Sequence, residues 1–345
     1  MNTTTEAPTQ ATVPEQAGLL LGHVAGYMSH RTIDIGLRYG LIAELAASPG
    51  LSPDDLATRL RMDDFYVVVW CRAALAAAVL ERSGDGYQLG EHLDTLLLDD
   101  TSPAYVGGLF PLAMQPEMFT RFGESLQSGE RLWWDETSPA WIDGVTSTGK
   151  PFYSRLVPGG LSQVPGLLER LEAGVRVIDT ACGTGAGLVK LAAAYPSCEL
   201  AGVDGDAHSI AIARAALDDA NVDDVELITS SLEEFDVKDS ATLVINNISM
   251  HECRDIDRVT ERVLAALEPG GWFVISDFPF PDTDDGLRTV PGRIMSGIQF
   301  FEAQIDDQLL PRTAYDDLLN RHGFTDLGTV SLTPVHALTW GRKPR

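Results

Sequence analysis

Three groups of residues are of types and spacings able to do chemistry. The first is the run Val177-Ile178-Asp179-Thr180-Ala181-Cys182-Gly183-Thr184-Gly185-Ala186-Gly187, an apolar stretch ending in an acid and passing into small residues. Small residues let backbone come close to a ligand, and a helix opening behind them points its free N–H groups the same way. Counting from Gly183, the sixth position is Leu188 rather than glycine, and no Gly-Lys-Ser/Thr follows, so neither diphosphate-cradling loop is matched. The second is Asp204, seventeen residues beyond Gly187, placed to accept both hydroxyls of a ribose. Loop and acid together point to a nucleoside ligand. The third is His251, followed by the acid Glu252. A histidine titrating near neutrality takes a hydroxyl proton, which is general-base chemistry.

The elements that must position these groups alternate strand and helix, the pattern of a parallel sheet covered on both faces. Candidate strands are Arg176–Asp179, Glu199–Asp204, Val225–Thr229, Ala241–Asn246 and Trp272–Asp277. Leu188, Leu191 and Tyr195 share a helical face, as do Val259, Val263, Leu264 and Leu267 before Glu268-Pro269-Gly270-Gly271 stops the helix. In such α/β sheets ligands bind outside the carboxyl ends of the strands, where strand order reverses. Asp179, Asp204 and His251 all fall at or just past those ends.

Ahead of this sheet the pattern is helical. Ile35, Leu37, Leu41, Ile42 and Leu45 are spaced to share one face, Ser52-Pro53 opens a second helix, and a third runs from Phe65 to Leu80. Two short runs around Gly84-Asp85-Gly86 then read as a hairpin, giving the three helices and hairpin of a winged helix. Its third helix opens Asp63-Asp64-Phe65-Tyr66, acidic and apolar where a reader of DNA is basic, which favours a dimerisation module. We expect a disordered leader at 1–18, the winged-helix domain at 19–98, a helical connector at 99–172 and the sheet domain at 173–345. The connector is rich in rings (Phe110, Phe119, Phe122, Trp133, Trp134, Trp141, Phe152, Tyr153) that either wall an apolar ligand or pack the domains.

Fifty acidic against 25 basic side chains give a formal charge of −25, which repels phosphate backbones and anionic lipid. No nucleic-acid or membrane partner is expected, and no apolar run approaches the roughly 18 residues a membrane helix needs. The four cysteines, Cys71, Cys182, Cys198 and Cys253, form no C-x-x-C pair. They suit a reduced, cytoplasmic setting, and no metal site is expected. Apolar residues of the first helix (Leu19, Leu20, Leu21, Val24, Ile33, Ile35, Leu37) exceed what so small a domain buries alone, so a homodimer is expected.

The loop Asp179-x-Ala181-Cys182-Gly183-Thr184-Gly185 resembles the acid-x-Gly-x-Gly-x-Gly motif of the S-adenosylmethionine-dependent methyltransferases, with Ala181 for the first glycine. The resemblance continues through Gly202-Val203-Asp204, Ser230-Ser231-Leu232, Met250-His251-Glu252, Leu267 to Gly271, Leu310 to Thr313 and Asn320 to Phe324. With the winged helix in front, the chain is similar to plant-type small-molecule O-methyltransferases and their bacterial natural-product relatives. The fold class implied is α/β: a Rossmann-like methyltransferase sheet behind a mostly helical winged-helix domain.

The resemblance implies S-adenosylmethionine held by Asp179, Ala181, Gly183, Gly185, Asp204, Gly205, Ser231, Leu232 and Asn247. Gly183 and Gly185 lie against the methionine part, Asp204 on the ribose, and Ser231-Leu232 beside adenine, with Ser231 where the family has Asp. His251 matches the family's general base and Asp277 its first steering acid. The second steering acid is replaced by Pro311, and Glu302 is the candidate substitute. Phe152, Tyr153 and Met295 are the substrate candidates. The expected reaction is methyl transfer to a hydroxyl of a small aromatic or polyketide-like molecule. Transfer to carbon or nitrogen, or a cofactor-binding role without methyl transfer, are the alternatives.

Overall fold

A computed structural model describes residues 11–132 and 136–345. Trp133 and Trp134 lie outside the described residues, as do the first ten residues of the expected leader. The chain separates into two compact units, Met1–Asp99 and Asp100–Arg345.

In the first unit, helix α1 (Val13–Arg38) starts inside the expected leader. Thr12 and Glu15 form a reciprocal capping box that satisfies the first free N–H groups, with Pro14 fixing the opening turn. Gly40, at φ +75°, separates α1 from α2 (Leu41–Ala47). The single face expected from Ile35 to Leu45 is therefore two helices: Leu41, Ile42 and Leu45 are buried, whereas Ile35 is exposed. Ser52 caps α3 (Pro53–Leu60) by accepting from Asp55 N, and Asp63 caps α4 (Asp64–Ala76) by accepting from Tyr66 N. Strands β1 (Leu80–Ser83) and β2 (Gly86–Leu89) pair antiparallel across Gly84-Asp85, completing the wing.

The second unit is built on a seven-stranded sheet in the order β5-β4-β3-β6-β7-β9-β8. Its members are β3 (Arg176–Thr180), β4 (Glu199–Asp204), β5 (Glu226–Thr229), β6 (Ala241–Asn247), β7 (Leu267–Asp277), β8 (Thr325–Thr333) and β9 (His336–Arg342). Neighbours among β3 to β7 run parallel, and β9 is antiparallel to β7 and β8. All five expected strands are present. The terminal β8–β9 hairpin was not anticipated.

Every residue of β6 is buried, as a strand covered on both faces requires. Leu188, Leu191 and Tyr195 pack into one core layer, and Val259, Val263 and Leu267 into the other. Strand order reverses between β3 and β6, so the carboxyl ends of these two strands open the crevice where ligands bind. Between residues 100 and 173 the chain forms short helices and one long one, Pro139–Arg155, which places Trp141 and Phe152 in the interior. Among the described residues, no helix is long and apolar enough to cross a membrane.

Candidate functional site

The Asp179 to Gly187 loop turns sharply as it leaves β3. Ala181, Gly183 and Gly185 all have positive φ (55°, 52° and 82°), and Gly185 is the residue from which the helix Ala186–Ala194 begins. Glycine adopts this backbone without strain, whereas Ala181 holds it at a cost. Nothing lies within 4 Å of the position a Cβ on Gly183 would take, so the loop faces open space there. A Cβ on Gly187 would instead lie 2.2 Å from the Tyr153 ring and 2.6 Å from Asp179 Oδ2, so only glycine fits.

Asp204 ends β4 opposite this loop. Its Oδ2 accepts from Gly183 N at 2.8 Å and its Oδ1 from Asp206 N at 2.9 Å, which fixes the carboxylate plane. Burial raises its pKa, and the two backbone bonds oppose that rise. Each oxygen keeps a lone pair for a further donor, the arrangement vicinal hydroxyls need. Gly205 follows, its Cβ position 3.7 Å from Ser231 Cα, so the ends of β4 and β5 adjoin around Ser231 and Leu232. Asp179 is wholly buried. Burial pushes its carboxyl up to about 7 while the Tyr153 hydroxyl, donating at 3.0 and 3.2 Å, opposes the shift.

Asn247 closes β6 beside the loop. Its Oδ1 accepts from Ser276 Oγ at 2.6 Å, while its buried Nδ2 has no partner among the described residues. Ser276 meets His336 Nε2 at 2.8 Å, and Arg155 donates to His336 Nδ1 at 2.9 Å. A buried donor without a partner is costly, so Asn247 Nδ2 is an atom that a ligand is suited to satisfy. The open loop, the fixed carboxylate and this donor fit a nucleoside with polar substituents.

Past Asn247 the chain turns through Ile248, a β-branched residue at φ +50°, into the second half of the site. Strain of this kind at a strand end is characteristic of functional positions. A cavity of about 910 Å³, its open mouth included, is walled by Leu109, Leu112, Trp141, Phe152, Phe278 and Phe301, with Ile248 beside them. His251, Glu252 and Glu302 form its polar pole, and Arg155 and Tyr105 also line it.

At that pole His251 Nδ1 lies 2.8 Å from Asp277 Oδ2, and its Nε2 lies 3.8 Å from Glu302 Oε2. Asp277, the last residue of β7, also accepts from Tyr315 Oη at 2.5 Å and from Phe278 N at 2.7 Å. Burial disfavours the charged imidazole, but Asp277, Glu302 and Glu252 outweigh it and raise His251 to about 10. That differs from the near-neutral value expected of a general base, because three carboxyl groups crowd one ring. Burial pushes Glu302 up to about 7 and Asp307 to about 6, and holds Glu252 well above the usual carboxylate range.

The structure thus brings together His251, Asp277 and Glu302, and separately Asp179, Ala181, Gly183, Gly185, Asp204 and Asn247. Of the substrate candidates only Phe152 lines the cavity. Tyr153, one position on along the same helix, points the other way, onto Asp179 and Gly187. Met295 is buried but does not line the cavity, which its helix meets through Ile294, Ile298 and Glu302. Among the connector rings, Trp141 reaches the cavity, while Phe119 and Phe122 pack on Phe300. Tyr315, Ile248, Arg155 and His336 went unnoticed in the sequence. Only the position of Ile248, next to Asn247, carried a local signal.

Residues 171–309 match a family model described as a methyltransferase domain. A carboxy-S-adenosyl-L-methionine synthase of Chromohalobacter salexigens is 28% identical over 196 residues, covering 51% of this chain and 72% of that protein. The S-adenosylmethionine-dependent methyltransferase SibL, in its apo form, superposes with a TM-score of 0.73 at 18% identity, over 95% of this chain and 99% of its own. Human N-acetylserotonin methyltransferase in complex with S-adenosylmethionine gives 0.72 at 16% identity, over 99% of this chain and 100% of its own. The two superpositions extend the shared fold across the helical unit and the sheet alike.

Proposed function

We infer that this chain, an S-adenosylmethionine-dependent methyltransferase by its domain at 171–309 and its fold, methylates a hydroxyl of a small aromatic or polyketide-like molecule. When bound, the cofactor supplies a methyl on a positively charged sulfur. Gly183 and Gly185 would border its methionine part, Asp204 its ribose, Ser231 and Leu232 its adenine, and Asn247 Nδ2 one of its acceptor atoms. The observation that carries the reading is one of adjacency: the open loop ends β3, the apolar cavity starts just past β6, and β3 and β6 are neighbours. Asn247 and Ile248 are consecutive residues, the first on the cofactor half and the second on the cavity.

An apolar cavity with one charged pole orients a flat acceptor with its reacting hydroxyl at that pole. There His251, steadied by Asp277, offsets the charge that develops on the acceptor oxygen as the proton leaves towards Glu302. Alignment against the methyl does the rest. The experiment is incubation with radiolabelled S-adenosylmethionine and an extract of candidate metabolites, followed by identification of the labelled product. Label on an oxygen of a small aromatic product is expected. Binding of cofactor with no labelled small molecule overturns the reading.

A second reading has one observation in its favour, the relative named for making a carboxylated S-adenosylmethionine. In that case the same incubation leaves the mass change on the cofactor rather than on an acceptor. We also propose a homodimer through α1, where Leu19, Leu20, Leu21, Val24, Tyr27 and Met28 are all more than half exposed. Light scattering at micromolar concentration should give twice the chain mass. A cytoplasmic location is proposed on the four free cysteines.

A further inference from the structure

We propose that Arg155 docks a carboxylate of the acceptor, so that the molecule methylated is a hydroxyaryl acid. Among the described residues that line the cavity, Arg155 is the one arginine or lysine. Its guanidinium is held from three sides: Nε donates to His336 Nδ1 at 2.9 Å, Nη1 donates to Pro103 O at 2.7 Å, and the centre of the Phe152 ring lies 4.6 Å from Cζ. A guanidinium carries five N–H groups, and these two bonds leave three for an incoming group. A carboxylate accepts two at once, which makes it the natural occupant of such a fork.

What this guanidinium lacks is a counter-charge. Its side-chain partner His336 is neutral, held down to about 3, and no carboxylate among the described residues pairs with Arg155. In a chain with 50 acidic against 25 basic side chains that is out of the ordinary. Arg59, Arg131 and Arg170, by contrast, each meet a carboxylate at 2.7 or 2.8 Å. Burial pulls the Arg155 pKa down to about 10, and no acid opposes that shift. A half-buried cation without a partner is costly, and an anion bound beside it offsets the cost.

The rest of the wall sets how such a molecule lies. The Phe152 ring, under the guanidinium, is 4.9 Å from the Phe278 ring, which is 6.3 Å from the imidazole of His251. Two aromatic side chains therefore stand between Arg155 and His251, a surface suited to the flat body of an aryl group. Glu252 and Glu302 stand with His251 and repel a carboxylate, so the acid end is sorted to Arg155 and the hydroxyl end to His251. A phosphate would bring a second charge that meets no further cation in this wall. The inference rests on the reading of this cavity as the acceptor site and deepens it.

The test titrates the full chain at pH 7 with 6-hydroxy-2-naphthoate and with the corresponding amide, which keeps the shape and loses the charge. Calorimetry should find the acid bound roughly 10–100-fold more tightly, the range for hydrogen bonds to a charged group. Arg155→Gln should abolish that preference while affinity for the amide and the melting temperature stay near wild type. Arg155→Lys, which keeps the charge without the fork, should retain part of it. Equal affinity of the wild type for acid and amide overturns the proposal, as does a folded Arg155→Gln protein that keeps the preference. If that variant does not fold, the wild-type comparison and Arg155→Lys still decide. Acid binding by a chain that transfers methyl to no acceptor would sink the functional reading and leave this one standing. Methyl transfer to phenols, with acid and amide bound alike, would do the reverse.

Discussion

The proposed cofactor half and the proposed acceptor half of this site are neighbours in space but are built by different means. The first is made of backbone: three positive-φ positions at alternate residues of one loop, and a carboxylate clamped by two main-chain N–H groups. The second is made of side chains drawn from places far apart in the sequence, with Trp141, Phe152, Ile248, Phe278 and Phe301 meeting only in the folded unit. A backbone-built half imposes one geometry and accepts one ligand class. A side-chain-built half can be re-lined without disturbing the first.

If that division is real, the largest effect separates binding from turnover. His251→Ala should lower kcat by about 10²–10⁴-fold while calorimetric affinity for S-adenosylmethionine stays where it was. A parallel loss of affinity would join the two halves. Next in size is the pH dependence of stability set by Asp179, whose carboxyl rises from 3.8 to about 7 on burial. Because the folded value is the higher one, its stabilisation is complete below about pH 4 and is lost as pH rises through about 7, on the order of 4 kcal/mol in all. Denaturant unfolding between pH 4 and 8 should show that loss, and Asp179→Asn should flatten it. An unchanged slope in the variant would assign the effect elsewhere.

Asp204→Ala should weaken the cofactor by about 1.5–3 kcal/mol, the worth of hydrogen bonds to a charged group, with kcat at saturation barely altered. A fall in kcat without a fall in affinity would place Asp204 in the acceptor half. The smallest effect concerns the loop itself. Ala181→Gly should relieve the left-handed strain and raise stability by no more than about 1 kcal/mol, since the added chain entropy of glycine offsets part of the gain. A destabilised variant would mean that the methyl group of Ala181 packs usefully.

The same division explains what could be read in advance. The loop, Asp204 and the strands around them were legible because the acid, the small residues and the next acid are local, and periodicity fixes the strands. The opposed fates of Phe152 and Tyr153 were not, because adjacent helical positions diverge by about 100° and only packing decides which faces the cavity. Glu302 was named only as a substitute for the acid missing at Pro311, yet it is buried on His251. Sequence gave no measure of its burial, since a carboxylate on a helix is ordinarily at the surface. The His251 value near 10 was equally hidden, because it needs Asp277, Glu252 and Glu302 all in place. The break at Gly40 and the β8–β9 hairpin were missed for a plainer reason: apolar spacing continued across the first, and the second follows no repeat of the βα pattern.

The hydrogen-bonded file of Arg155, His336, Ser276 and Asn247 has a sense of direction. A guanidinium has no lone pair, so the file begins with a group that only gives. His336 Nδ1 must therefore receive, Nε2 must carry the proton and pass a hydrogen bond to Ser276, and Ser276 must give to Asn247 Oδ1. Each link copies the orientation of the one before, and the amide at the end cannot turn over without opposing all of them. Burial and the nearby Arg155 hold His336 down to about 3, so no pH the fold normally meets reverses the sequence. Asn247 thus shows a bare N–H pair, permanently, to whatever stands in front of it, and a ligand presenting a donor at that point is refused.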